Sequence, residues 1–165
     1  MPSGPQTNID MKIIYSGGWE ECFKAGYSQG SSGRKISEIL KVCSKRKLML
    51  ACKVASASKM KLLAWAERAD VSFETKERNP NHVSYGTSWY LNSNGSPSLS
   101  WGFAKAGSTI SRSNCDTAAG NEHLRLCWHT SSCETHLCGT ISNGYRCGDT
   151  GDSKTNVEML ILHKD

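Results

Sequence analysis

The stretch "KLMLACKV", residues 47–54, sets the fold class. Leu48, Leu50, Cys52 and Val54 fall on one face and Lys47, Met49, Ala51 and Lys53 on the other, the two-residue period of a half-buried strand with a cysteine on its apolar side. Upstream, "GRKISEILKVCS" (33–44) has a different period. Ile36, Ile39, Leu40 and Cys43 are spaced i, i+3, i+4, i+7, and with Ser32 and Gly33 as cap positions this predicts one short helix. "KIIYSGGW" (12–19) reads as a short strand closed by a turn at Gly17-Gly18. Residues 1–11, rich in Pro, Gly and polar side chains, read as a flexible leader to a single domain over 12–165.

Downstream, "MKLLAWAERADVSFET" (60–75) fits helix or strand in its first half and alternates as a strand in its second, with Val71 and Phe73 opposite Asp70, Ser72 and Glu74. Further strands are expected at "SWYLN" (88–92), "SLSWGFA" (98–104), "LRLCWHT" (124–130) and "VEMLILH" (157–163), separated by segments rich in Gly, Asn, Asp and Ser. Short strands at this spacing predict an all-β fold, or a β-rich one with one short helix, built as a disulfide-stapled β-sandwich or compact barrel. Trp65, Trp101 and Trp128 lie in apolar strand patterns and are expected in the core.

The chain of 165 residues contains eight cysteines, at 22, 43, 52, 115, 127, 133, 138 and 147. The opening residues have no basic region followed by an apolar one, so the compartment must be inferred from the cysteines. Their even number and dispersal point to disulfides and a secreted, extracellular setting. "CWHTSSCETHLCG" (127–139) packs three cysteines and two histidines together, but no CxxC pair occurs, and the spacing does not match a zinc site. Cys133 and Cys138, the ends of a Cys-x4-Cys loop, are expected to pair with each other. The other six, Cys22, Cys43, Cys52, Cys115, Cys127 and Cys147, are expected to pair in an order that spacing cannot choose.

No stretch approaches the roughly 20 apolar residues needed to span a bilayer as a helix. The net charge of +5 is uneven, +6 over residues 1–83 and −1 over 84–165. Lys41, Lys45, Arg46, Lys47, Lys53, Lys59 and Lys61 form a run with no intervening acid, a candidate patch for an anionic surface or sulfated glycan; no motif points to nucleic acid.

Catalytic signatures are absent: there is no GxSxG elbow, phosphate loop or dinucleotide fingerprint, so no catalytic residue is assigned. Asp149, Asp152 and Asn156 in "GDTGDSKTN" offer the oxygen ligands Ca²⁺ prefers, as do Asp116, Asn121 and Glu122, without an EF-hand spacing. Asn94-Gly95-Ser96 is a glycosylation sequon. Aromatic rings beside polar side chains suit sugars, whose C–H faces pack on rings. The candidates are Trp89, Tyr90 and Asn92, then Arg125, Trp128 and His129, then Asn143, Tyr145 and Arg146.

"IYSGGWEECF", "ILKVCSKRKLMLACK", "LLAWAERADVSFET", "SWGFAKAGSTISRSNCD", "LRLCWHT" and "GYRCG", in this order, resemble a domain that occurs singly or repeated in extracellular proteins of bacteria, protists and marine invertebrates. The resemblance covers residues 12–163. It implies a secreted β-rich module without established activity, with six cysteines matched by Cys22, Cys43, Cys52, Cys115, Cys127 and Cys147; Cys133 and Cys138 are additional. The expectation is therefore an extracellular binding module, lectin-like toward carbohydrate or an anionic glycoconjugate. The alternatives are an adhesive protein–protein module and a secreted hydrolase or toxin using His129 and His136.

Overall fold

The computed structural model describes residues 1–26, 36–93, 100–112, 115–129, 145–149 and 156–165. Among the described residues, ten strands form two five-stranded antiparallel sheets. In the first, β1 (Gln6–Asp10), β4 (Lys59–Glu67), β3 (Lys47–Val54), β10 (Val157–Lys164) and β2 (Glu20–Gly26) lie side by side in that order. In the second the order follows the sequence: β5 (His82–Ser84), β6 (Thr87–Asn92), β7 (Ser100–Lys105), β8 (Leu126–His129) and β9 (Tyr145–Cys147). Leu48, Leu50, Leu62, Ala64, Met159 and Ile161 of the first sheet share one buried cluster with Trp89, Trp101, Phe103, Leu126 and Trp128 of the second. This is the disulfide-stabilised β-sandwich architecture that the alternation predicts.

The β3 alternation is correct in register, but its other face is not open to solvent. Met49 and Ala51 are fully buried in a second cluster with Leu63, Leu160, Leu162, Ile14 and Trp19. That cover comes from α1 (Met11–Ser16), in a stretch that reads as a strand because Ile13 and Ile14 are β-branched. Local capping overrides the propensity. The Asp10 carboxylate accepts from the Lys12 N–H at 2.9 Å, and the Gly17 N–H donates to the Ile13 and Ile14 carbonyls at 3.1 Å.

Residues 1–11 are likewise part of the fold rather than a leader. Gln6 pairs with Leu63 and Ile9 with Met60, making β1 an edge strand, while the Gly4 N–H binds the Tyr85 carbonyl at 2.7 Å. The predicted helix is α2 (Ile36–Val42), with Ile36 and Ile39 buried. After β4, the expected strand around Val71 and Phe73 is instead the single turn α3 (Arg68–Val71) and irregular chain. The Arg68 side chain holds that turn in place by donating to the Leu40 and Cys43 carbonyls at 2.8 and 3.1 Å.

Three disulfides join these layers. Cys22–Cys43 ties β2 to the end of α2, Cys52–Cys147 ties β3 to β9 across the sandwich, and Cys115–Cys127 pins a long loop to the outer side of β8. Cys127 is therefore bonded to sulfur. Cys133 and Cys138 lie outside the described residues. No described helix is long and apolar enough to cross a membrane.

Candidate functional site

Most of the aromatic and polar residues expected to face a ligand are buried. Trp89, Tyr90, Asn92, Arg125 and Arg146 are between 0% and 5% exposed, and Trp128 is fully buried. Trp89 packs edge-on against Phe103 between the sheets, with ring centroids 5.4 Å apart. "SWYLN" puts Trp89 and Leu91 on the face between the sheets and Ser88, Tyr90 and Asn92 on the outer face, and both faces are covered. His129 is half-buried at the end of β8. Asn143 and His136 lie outside the described residues, as does the Asn94 sequon; of Tyr145 the structure gives only its backbone place in β9.

Arg125, Arg146 and Tyr90 belong to a buried polar network with Arg112 on the outer side of the second sheet. Arg125 donates to the Asp116 carboxylate at 2.7 Å, and to the Gly120 and Thr109 carbonyls at 2.7 and 2.9 Å. Arg146 donates to the Asp116 and Ala118 carbonyls at 2.8 and 3.0 Å. Arg112 bonds to both oxygens of Thr75 and stacks over the Tyr90 ring, 5.4 Å from its centroid. Tyr90 donates to the Leu126 carbonyl at 3.0 Å across Gly102, where a Cβ would collide with that carbonyl. Burial pushes the Tyr90 phenol well above its usual range, aided by Asp116, and burial also lowers Arg112 and Arg146. These arginines satisfy loop carbonyls and act as internal braces.

The expected basic patch does not exist as one surface. Lys47 and Lys53 sit at opposite ends of β3, about 20 Å apart at a strand's rise per residue. Lys53 is buried, and its ammonium caps the turn after β3 by donating to the Val54, Ala55 and Ala57 carbonyls. Lys61 pairs with Asp149 at 2.9 Å, at the Lys53 end together with exposed Lys59. Asp149, offered above to calcium, is thus committed to an ammonium; Asn156 gives its carbonyl to Ala55, and Asp152 lies outside the described residues. Asp116 and Glu122 are engaged with Arg125 and the Gly120 N–H.

At the other end, near exposed Lys41 and the Lys45–Glu20 ion pair, Arg46 and Lys47 meet an aromatic ledge the sequence reading missed. Ser84 pairs with Thr87, so Tyr85-Gly86 is a two-residue hairpin turn, with both residues left-handed at φ 51° and 71°. That geometry favours Asn-Gly. A tyrosine there is strained, yet the residue is 43% exposed and its ring packs 4.9 Å from Trp65. The Lys47 ammonium lies 5.2 Å from the Trp65 ring centroid, and the Tyr85 hydroxyl donates to Glu67 at 3.3 Å. Arg46, with its side chain 68% exposed, lies 3.7 Å from the other Glu67 oxygen. Trp65 is therefore only partly in the core. The dipeptide Tyr-Gly between two alternating strands was the available signal.

A third cluster lies beside the turn. Asp70 is bonded to His82 at 3.0 Å and accepts from the Ser84 hydroxyl at 2.8 Å, while Phe73 stacks on the His82 ring at 4.2 Å. Serine and histidine both bind the carboxylate and not each other, so the imidazole is not placed to take the serine proton as in a serine–histidine–aspartate relay. Comparison with protein-family models, curated proteins and solved structures returns no match.

Proposed function

We propose that the protein is a secreted binding module that recognises glycans, with the Tyr85–Trp65 ledge as its contact surface. The observation that carries this reading is the exposed tyrosine held in left-handed backbone at Tyr85. The strain of that backbone offsets what the ring gains by packing on Trp65, so folding has little net reason to prefer tyrosine to asparagine, which favours a role in contact. Around the ring, Glu67 offers carboxylate oxygens, and Arg46 and Lys47 offer cationic donors. A pyranose packing its C–H face on Tyr85 would find partners for its hydroxyls. The two cations favour a sugar bearing a carboxylate or sulfate. The three disulfides support an oxidising, extracellular setting.

A glycan array with the intact protein and Tyr85→Ala tests the reading. Binding to acidic glycans that falls at least tenfold in the variant supports it. Array binding indifferent to Tyr85 overturns the ledge, and no glycan signal together with self-association at rising concentration favours an adhesive module instead.

A further inference from the structure

On the outer side of the second sheet, the segment before β5 and the loop after β7 enclose a cleft of about 330 Å³, lined by Asn79, Pro80, Asn81 and residues 107–110. The loop is held there by the Arg112 N–H, which binds the Arg78 carbonyl at 3.1 Å, and by Ile110, buried against Tyr90 and Ala104. The floor is thus rigid, and Gly107, at φ 86° with open space where a Cβ would stand, keeps the mouth clear.

No lining residue is charged. The Asn79 amide satisfies the Arg78 and Ile110 carbonyls, at 3.2 and 3.0 Å, when it is turned so that its nitrogen faces them, which leaves its oxygen as an acceptor. The Ser108 hydroxyl accepts from Asn121 at 3.4 Å. Among the described residues, the Asn81 amide and the Thr109 hydroxyl form no hydrogen bond. Neutral donors and acceptors thus converge on a space with Pro80 and Ile110 as its apolar surfaces. That combination matches an uncharged polyhydroxylated ring and gives no compensation to an ion.

We infer that this cleft is a second carbohydrate site, selective for a neutral hexose and formed by residues other than those of the Tyr85 ledge, although its loop starts beside that turn, where the Ala106 N–H binds the Gly86 carbonyl at 3.1 Å. The proposal extends the glycan reading from one contact surface to two with different charge preferences: acidic sugar at the ledge, neutral sugar in the cleft. A single ring filling so polar a site binds with a Kd on the order of millimolar.

The test is amide chemical-shift titration of the intact, oxidised protein with methyl glycosides of neutral hexoses, and in parallel with glucuronic acid and glucosamine. Saturable shifts at Asn79, Asn81 and Gly107–Ile110 with at least one neutral glycoside, weakened at least fivefold in both Asn81→Ala and Thr109→Val, are expected. The same shifts should persist in Tyr85→Ala. No shifts at these residues, an equal response to the charged sugars, or binding indifferent to both cleft variants overturns the proposal. Loss of array binding in Tyr85→Ala with cleft titration intact, or the reverse, separates failure of one site from failure of the other.

Discussion

The Arg125 guanidinium lies 2.7 Å from the Asp116 carboxylate, and the two side chains are 2% and 0% exposed. Removing one partner leaves the other charged and out of water. Arg125→Met is therefore expected to cost about 3–5 kcal/mol in urea unfolding, with Asp116→Leu in the same chain recovering part of the loss. A cost below about 1 kcal/mol would show that the pair does not brace the loop.

The disulfides should differ in weight because they close loops of different length. Cys52–Cys147 spans 95 residues and Cys115–Cys127 spans 12. Chain entropy alone assigns about 5 kcal/mol to the first and about 3 to the second. Paired Cys→Ala variants compared by thermal melting should rank in that order; the reverse ranking would place the stabilisation in local packing.

Tyr85→Asn puts a residue that tolerates left-handed backbone where the turn asks for one. Relief of about 1–2 kcal/mol of backbone strain opposes the loss of an aromatic contact with Trp65 worth about 1 kcal/mol. Stability should stay within about 1 kcal/mol of the parent by the same balance, while glycan binding falls at least tenfold. A variant that loses both together would make Tyr85 a structural residue.

His163 is nearly buried on β10, with its Nδ1 accepting from the Lys45 N–H at 3.4 Å and its Nε2 3.9 Å from Glu20. Burial, then the Lys45 charge, lowers its pKa below the usual 6.5, against the opposing pull of Glu20 and Asp165. The unfolded chain therefore takes up its proton first. Stability from this group is full above about pH 6.5 and declines as pH falls toward the lowered folded value. His163→Gln should flatten the Tm profile between about pH 7 and pH 5; an unchanged slope would assign that acid sensitivity elsewhere.

Inner-face strands were legible because their period is simple: β3, β6, β7, β8 and β10 all fall where alternation and turn residues put them. What escaped was everything decided by a second layer. Met49 and Lys53 look solvent-facing in isolation, and only α1 and the turn at Val54–Ala57 bury them. The six paired cysteines were recognisable as bonded, but their connectivity depends on which strands face one another, and no local spacing encodes that. The site residues failed for a related reason. Aromatic-polar neighbours such as Trp89-Tyr90 look like a contact surface until a loop carrying Arg112 and Arg125 closes over one face and the opposite sheet over the other. The cleft was invisible because Asn79 and Thr109 are distant in sequence and ordinary in type.

β10 occupies the place between β3 and β2, so the first sheet is completed by residues 157–164, made long after its other four strands. During synthesis, residues 6–67 emerge able to form only the β1–β4–β3 half, while β2 waits with no strand partner and is tethered through Cys22–Cys43. Closure needs contacts more than 100 residues apart in the chain, which makes completion of this sheet a late, long-range step of folding. The covalent bond between residues 22 and 43 then serves as a placeholder, keeping that edge within reach until its neighbour is delivered.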